Sequence, residues 1–158
     1  PMNDVRFSTA GSVRMTRAAL PQLLRSGAGA VVTVSSVNAF LPDPAVMDYC
    51  AAKAALTNFC KALSKEVGPR GVRVNTVSPG PVQTDLWLGQ TGVAATFAGA
   101  QRTEPDAVVR QVSESTATKR FSRPEEVADL VILLASGRAG NVTGSDFVID
   151  GGLVSTVR

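Results

Sequence analysis

Apolar positions along the chain recur with two different periods. Over residues 3–26, Val13, Leu20 and Leu24 share one stripe while arginines lie elsewhere, which predicts a helix. Pro21 sits inside it, so a kink or a boundary is expected there. Gly27-Ala-Gly29 ends the pattern. Ala-Val-Val-Thr-Val at 30–34 is short, continuous and β-branched, as a buried parallel strand requires. Residues 37–47 contain two prolines and read as a loop. From about Asp48 to Val67 the helical period returns: Tyr49, Lys53, Leu56, Cys60, Leu63 and Val67 recur at steps of four and three, and Gly68-Pro69 stops the run. A second stripe on the same helix, Ala52, Ala55, Phe59 and Ala62, is small and flat, suited to close packing by another helix or another subunit.

Val72–Val77 reads as a second strand, broken by Ser78-Pro79-Gly80-Pro81. Residues 81–118 show weak periodicity and read as a long lid-like loop with one or two short helices around 104–114. Ser122-Arg-Pro-Glu125 matches a capping box ahead of a helix over 124–136. Gly137–Gly144 is a loop, Asp146–Ile149 a third strand, and Asp150-Gly151-Gly152 its end. Strands alternating with helices predict one α/β domain over 1–158, a parallel sheet flanked by helices. Ligands of such sheets bind beyond the carboxyl ends of the strands, here Ser35-Ser36, Ser78-Pro79-Gly80 and Asp150-Gly151-Gly152.

Composition narrows the chemistry. The net charge is +3 and the basic residues are scattered, which argues against a nucleic-acid partner. No apolar run reaches the ~18 residues of a membrane span, and the first residues carry no signal-peptide pattern, so a cytoplasmic protein is expected. Cys50 and Cys60 lie ten residues apart on one helical pattern, ~15 Å, too far for a disulfide. The chain has no histidine. That removes the usual Ser-His-Asp and Cys-His mechanisms and most zinc sites, so no metal is expected. Acid–base work falls to Tyr, Lys, Cys, Asp or Glu.

Tyr49 and Lys53 are four apart and share a helix face. An ammonium beside a phenol favours the phenolate, so such a pair can give or take a proton on an alcohol or ketone oxygen. Ser36 ends the preceding strand, where its hydroxyl can hold that oxygen.

Ser36, a twelve-residue gap and Tyr49-Cys-Ala-Ala-Lys53 resemble the active site of the short-chain dehydrogenase/reductase family. Further segments fit in order: Arg73-Val-Asn75-Thr-Val-Ser-Pro79-Gly80, Pro81-Val82-Gln83-Thr84, Arg123-Pro-Glu-Glu126-Val-Ala and Asp150-Gly151-Gly152. The resemblance implies a Rossmann-like fold and a hydride passed between NAD or NADP and an alcohol or ketone. It makes Tyr49 the acid/base. Lys53 would favour the ionised form of Tyr49 and bind the nicotinamide ribose, and Ser36 would orient the substrate oxygen. Pro79 and Gly80 would line the nicotinamide, with the Val82 backbone and Thr84 hydroxyl near its carboxamide. Residues 85–118, with Trp87 and Phe97, would form a substrate lid, small and apolar enough for a modest, mostly apolar substrate. A homodimer or homotetramer is the family expectation.

The chain departs from the family in two places. It contains no G-x-x-x-G-x-G and no residue placed to read the adenosine ribose. The resemblance therefore implies that about 100 residues, one mononucleotide-binding half, are missing from the N-terminal part of the fold. The sheet would then expose an inner edge. The alternative reading is a non-catalytic truncated chain or subunit that associates with a full-length relative. The family's asparagine in the first helix here falls on Ser8 by one count and on Arg6 by another; neither is asparagine.

Overall fold

The computed structural model describes residues 3–156, with side chains from Thr9 onward, so the side chains of Arg6 and Ser8 lie outside the described residues. Three strands form one parallel sheet in the order β1 (Gly29–Val34), β2 (Val72–Pro79), β3 (Asp146–Ile149). Helices α1 (Asn3–Ser26) and α2 (Met47–Val67) cover one face and α6 (Pro124–Ala135) the other. Between β2 and α6 lie α3 (Asp85–Leu88), α4 (Val93–Gln101) and α5 (Pro105–Glu114). This is the expected α/β, Rossmann-like layering.

The period-2 alternation of the strands divides the core. Val31, Val72 and Val74 point to α2, where Leu56, Cys60, Leu63 and Val67 meet them and Leu20, Leu23 and Leu24 of α1 close the outside. Val32, Val77, Phe147 and Ile149 point the other way, onto Val127, Leu130, Val131 and Leu134 of α6. Leu56, Val67, Val72, Val74 and Val77 are at most 1% exposed. Each such side chain contributes about 1.5–3 kcal/mol by leaving water.

Several expectations shift. Helix α1 runs through Pro21 to Ser26, so no boundary falls at the proline. The flat stripe of α2 is used within the chain: Phe59, like the α1 leucines, packs against the core between α2 and the sheet, and Thr9 Oγ1 donates to Ala52 O at 3.1 Å. Ala55 and Ala62 of that stripe stay exposed. Strand β2 is not broken at Ser78; Ser78 and Pro79 pair with Val148 and Ile149. Proline is tolerated there because its nitrogen faces β1, whose ladder ends with Ser35 N–H donating to Val77 O at 2.7 Å. The long loop is mostly helical. Its α4 was hidden because Ala94 and Ala98, the residues it buries, carry little hydrophobic signal. The capping box moves by one residue: the Glu126 carboxylate accepts the Arg123 N–H at 2.7 Å, while Ser122 bridges to Val82 instead.

Arg73 and Asn75 prove to be scaffolding. Arg73 donates to Leu134 O at 2.7 Å and Ser136 O at 3.0 Å, satisfying the carboxyl end of α6. Asn75 donates to Val142 O at 2.8 Å and accepts Ser145 N–H at 3.1 Å, fixing the approach to β3. Among the described residues, no helix is long and apolar enough to cross a membrane.

Candidate active site

The three strand ends lie side by side. At the end of β1, Ser35 and Ser36 are both buried. The Ser35 hydroxyl is 2.7 Å from Thr57 Oγ1 and also donates to Lys53 O at 3.4 Å, which docks α2 onto the strand end. Ser36 opens a short 3-10 turn, Val37–Ala39, as its N-cap: its Oγ accepts Asn38 N–H at 3.2 Å. The Ser36 hydroxyl also donates to Asn38 Oδ1 at 3.3 Å.

Lys53 points from α2 back to the strand and is only 9% exposed. Its ammonium donates to Val34 O at 3.1 Å and lies 5.6 Å from the centroid of the Tyr49 ring. Alternation turns the Val34 carbonyl away from β2, toward the outer edge of the sheet. Burial pulls Lys53 below the ordinary lysine range. Tyr49 itself is half-buried on the first turn of α2. The described hydrogen bonds connect Ser36 to α2 through Asn38, whose Nδ2 is 3.7 Å from Cys50 Sγ, not directly to Tyr49.

At the next strand end, Gly80 N–H donates to Ile149 O at 2.9 Å. A Cβ on Gly80 would sit 2.8 Å from the Asp150 Cβ, so only glycine permits this approach of β2 to β3. Asp150 in turn accepts Gly152 N–H and Val154 N–H, each at 2.8 Å, and holds the turn in which Gly151 and Gly152 take positive φ. Beyond Gly80, the bridge to Ser122 uses Pro81 O and Gln83 N–H, so the Val82 N–H faces the opposite side. Thr84 starts α3 without a side-chain cap bond, so its hydroxyl is not committed to the helix. A backbone donor and a hydroxyl beside a strand end suit a carboxamide, which offers both an acceptor and a donor.

The structure thus brings Tyr49, Lys53 and Ser36 to one strand end, with Pro79, Gly80, Val82 and Thr84 leading from the next. Sequence reasoning missed Asn38, Thr57 and the Val34 carbonyl, and named Ser35 only as part of a strand end. Only Asn38, a polar residue two after the serine, left a signal to follow. A cavity of about 460 Å³ lies on the β3 side of α2, lined in part by Thr57, Lys61, Thr76 and Asp146, and none of the sequence-predicted site residues lines it. Cys60, also there, is a poor nucleophile, since burial pushes its thiol up, as does the Asp146 charge, against the lowering effect of its bond to Thr33.

The family model described as enoyl-(acyl carrier protein) reductase matches residues 3–154. The chain is 34% identical over 145 residues to 2-(S)-hydroxypropyl-CoM dehydrogenase 3 of Xanthobacter autotrophicus, covering 92% of this chain and 54% of that protein. It is 33% identical over 148 residues to dehydrogenase/reductase SDR family member 4 of Sus scrofa, covering 91% and 47%. Among solved structures, L-sorbose reductase from Gluconobacter frateurii, complexed with NADPH and L-sorbose, superposes with a TM-score of 0.82 at 31% identity over 95% of this chain and 56% of that one. The chain spans about half the length of the curated relatives it matches. With the family model running through nearly all of it, the chain belongs to the short-chain dehydrogenase/reductase family.

Proposed function

We propose that this chain carries the proton-handling half of an NAD(P)-dependent oxidoreductase acting on an alcohol or ketone. The observation that carries the reading is the Lys53 ammonium, held on Val34 O and lying 5.6 Å from the Tyr49 ring centroid. A cation fixed beside a phenol lowers the cost of the phenolate, which suits Tyr49 to exchange a proton with a substrate oxygen. Ser36 holds that oxygen by its hydroxyl. Lys53 faces the ribose of the cofactor, Pro79 and Gly80 line the nicotinamide, and Val82 N–H and the Thr84 hydroxyl meet its carboxamide. The nicotinamide, when bound, supplies or accepts the hydride. The NADPH complex of the sorbose reductase supports this choice of cofactor class, NAD or NADP.

A cytoplasmic location belongs to this reading, supported by two cysteines that are free and buried. So does a homo-oligomer, a dimer or tetramer, supported by the exposed Ile132 and Leu133 of α6 and Val148 of β3. The test is turnover of a ketone panel with NADH and NADPH, followed by nicotinamide absorbance. Tyr49→Phe is expected to lower kcat by about 10²-fold or more. Retained turnover in that variant removes Tyr49 from the mechanism.

A further inference from the structure

Ser36 must present its hydroxyl in one direction to hold a substrate oxygen, and nothing in its own side chain fixes that direction. A serine hydroxyl rotates freely until neighbours claim its proton and its lone pairs. In this structure one residue claims both. The Asn38 backbone N–H donates into Ser36 Oγ at 3.2 Å, and the Asn38 Oδ1 accepts the hydroxyl proton at 3.3 Å. The carboxamide is itself held: its Nδ2 donates to Leu41 O at 3.3 Å and approaches Cys50 Sγ at 3.7 Å. Both amide protons thus face the far side, and Oδ1 is left for the serine.

Cys50 completes the tie to α2. It is buried, and its sulfur also receives the Asp43 N–H at 3.3 Å. The loop that begins at Ser36 is therefore pinned, through Asn38 and Asp43, onto the residue next to Tyr49.

We propose that Asn38 is the positioning residue of the site, setting the direction of the Ser36 hydroxyl and its place relative to Tyr49. This rests on the functional reading above. Before substrate arrives, Oδ1 accepts the hydrogen bond of the hydroxyl. When an oxygen enters, the hydroxyl turns that bond from Oδ1 to it, its proton staying on Oγ, while the Asn38 N–H keeps donating into Oγ. A hydroxyl that accepts one hydrogen bond gives a stronger one, so the swing ends on a better donor than an isolated serine. Asn38 touches neither substrate nor cofactor in this role.

Two variants test it in the chain as it stands. Asn38→Ala keeps the N–H and removes Oδ1. It is expected to lower kcat about tenfold or more with the cofactor KM unchanged. Asn38→Asp keeps the shape and adds a negative charge at Oδ1. Tyr49 is the chain's one tyrosine, so its ionisation can be followed by absorbance without any turnover. The Asp variant is expected to move that ionisation up, because a negative charge at Oδ1 disfavours the phenolate, whereas Asn58→Asp on the solvent side of α2 leaves it in place. An unchanged kcat in Asn38→Ala, or an ionisation curve for Asn38→Asp that overlays the wild type, overturns the role of Asn38. Turnover retained in Tyr49→Phe overturns the functional reading instead, and where the wild type itself gives no turnover the titration alone decides Asn38.

Discussion

The sheet with α2 and the segment from α3 to α5 are built on different principles. Around α2 and β2 the buried side chains are mostly large and branched and form one cluster from Leu56 to Val74. The α3–α5 segment has its own small core, Ala94, Ala98 and Val108 with Phe97, Val109 and Val112 around it. Its ties to the rest are few and local. The Trp87 ring meets Phe121 edge-on at 5.1 Å and 81°, Val82 bridges to Ser122, and Arg120 pairs with Glu126 of α6. The residues of the proposed site, Ser36, Tyr49, Lys53 and Gly80, stand on the first region. The second can change its surface without disturbing them. On the proposed function, a division of this kind would let one proton-handling frame accept different substrates, because loops and small helices vary more cheaply than packed strands.

That contrast can be broken most severely through the frame. Leu56→Ala empties a fully enclosed site between α2 and the sheet and is expected to cost about 2–5 kcal/mol in urea unfolding. A smaller and more selective effect is expected at the seam. Phe121→Leu removes the edge contact with Trp87, worth about 0.5–1.5 kcal/mol beyond burial. It should change the fluorescence of the single tryptophan and speed amide exchange in α3–α5, leaving α2 protected. Equal loss of protection in both regions would show that they open as one unit.

The smallest effect belongs to Glu126, which joins the end of the α3–α5 segment to α6. Its carboxyl is held down to about 2, first by the Arg120 hydrogen bond and then by the Arg123 N–H. The folded value lies below the unfolded one, so the unfolded chain binds more protons in the window between them. The stabilisation is complete above pH 4.5 and fades as pH falls toward about 2. Glu126→Gln is expected to melt slightly lower at neutral pH and to lose less than the wild type across that acid window, read by thermal melts.

What could be read in advance followed the same division. The three strands and α2 were legible because branched runs and helical spacing are strong local signals, and the placement of Ser36, Tyr49 and Lys53 at one strand end followed from them. The α3–α5 segment was not, because Ala94 and Ala98 bury little apolar area and its helices are fixed by contacts with one another. The bonds made by Asn38 and the Val34 carbonyl were harder to read for another reason. A hydrogen bond to a backbone carbonyl leaves no mark on residue type, and an asparagine in a turn has many ordinary uses. Arg73 and Asn75 were placed in the right segment, but their work is to close α6 and the approach to β3.

Pro79 carries one more implication. In a parallel ladder, the residue at that position would return a bond to the carbonyl of Ser35, after Ser35 N–H reaches Val77 O. Proline has no proton to return. It therefore acts as a terminator for its neighbour: β1 cannot zip past Ser35, and the chain leaves the sheet where Ser36 begins its turn. The address of the serine is thus written forty-three residues downstream of it, on the adjacent strand.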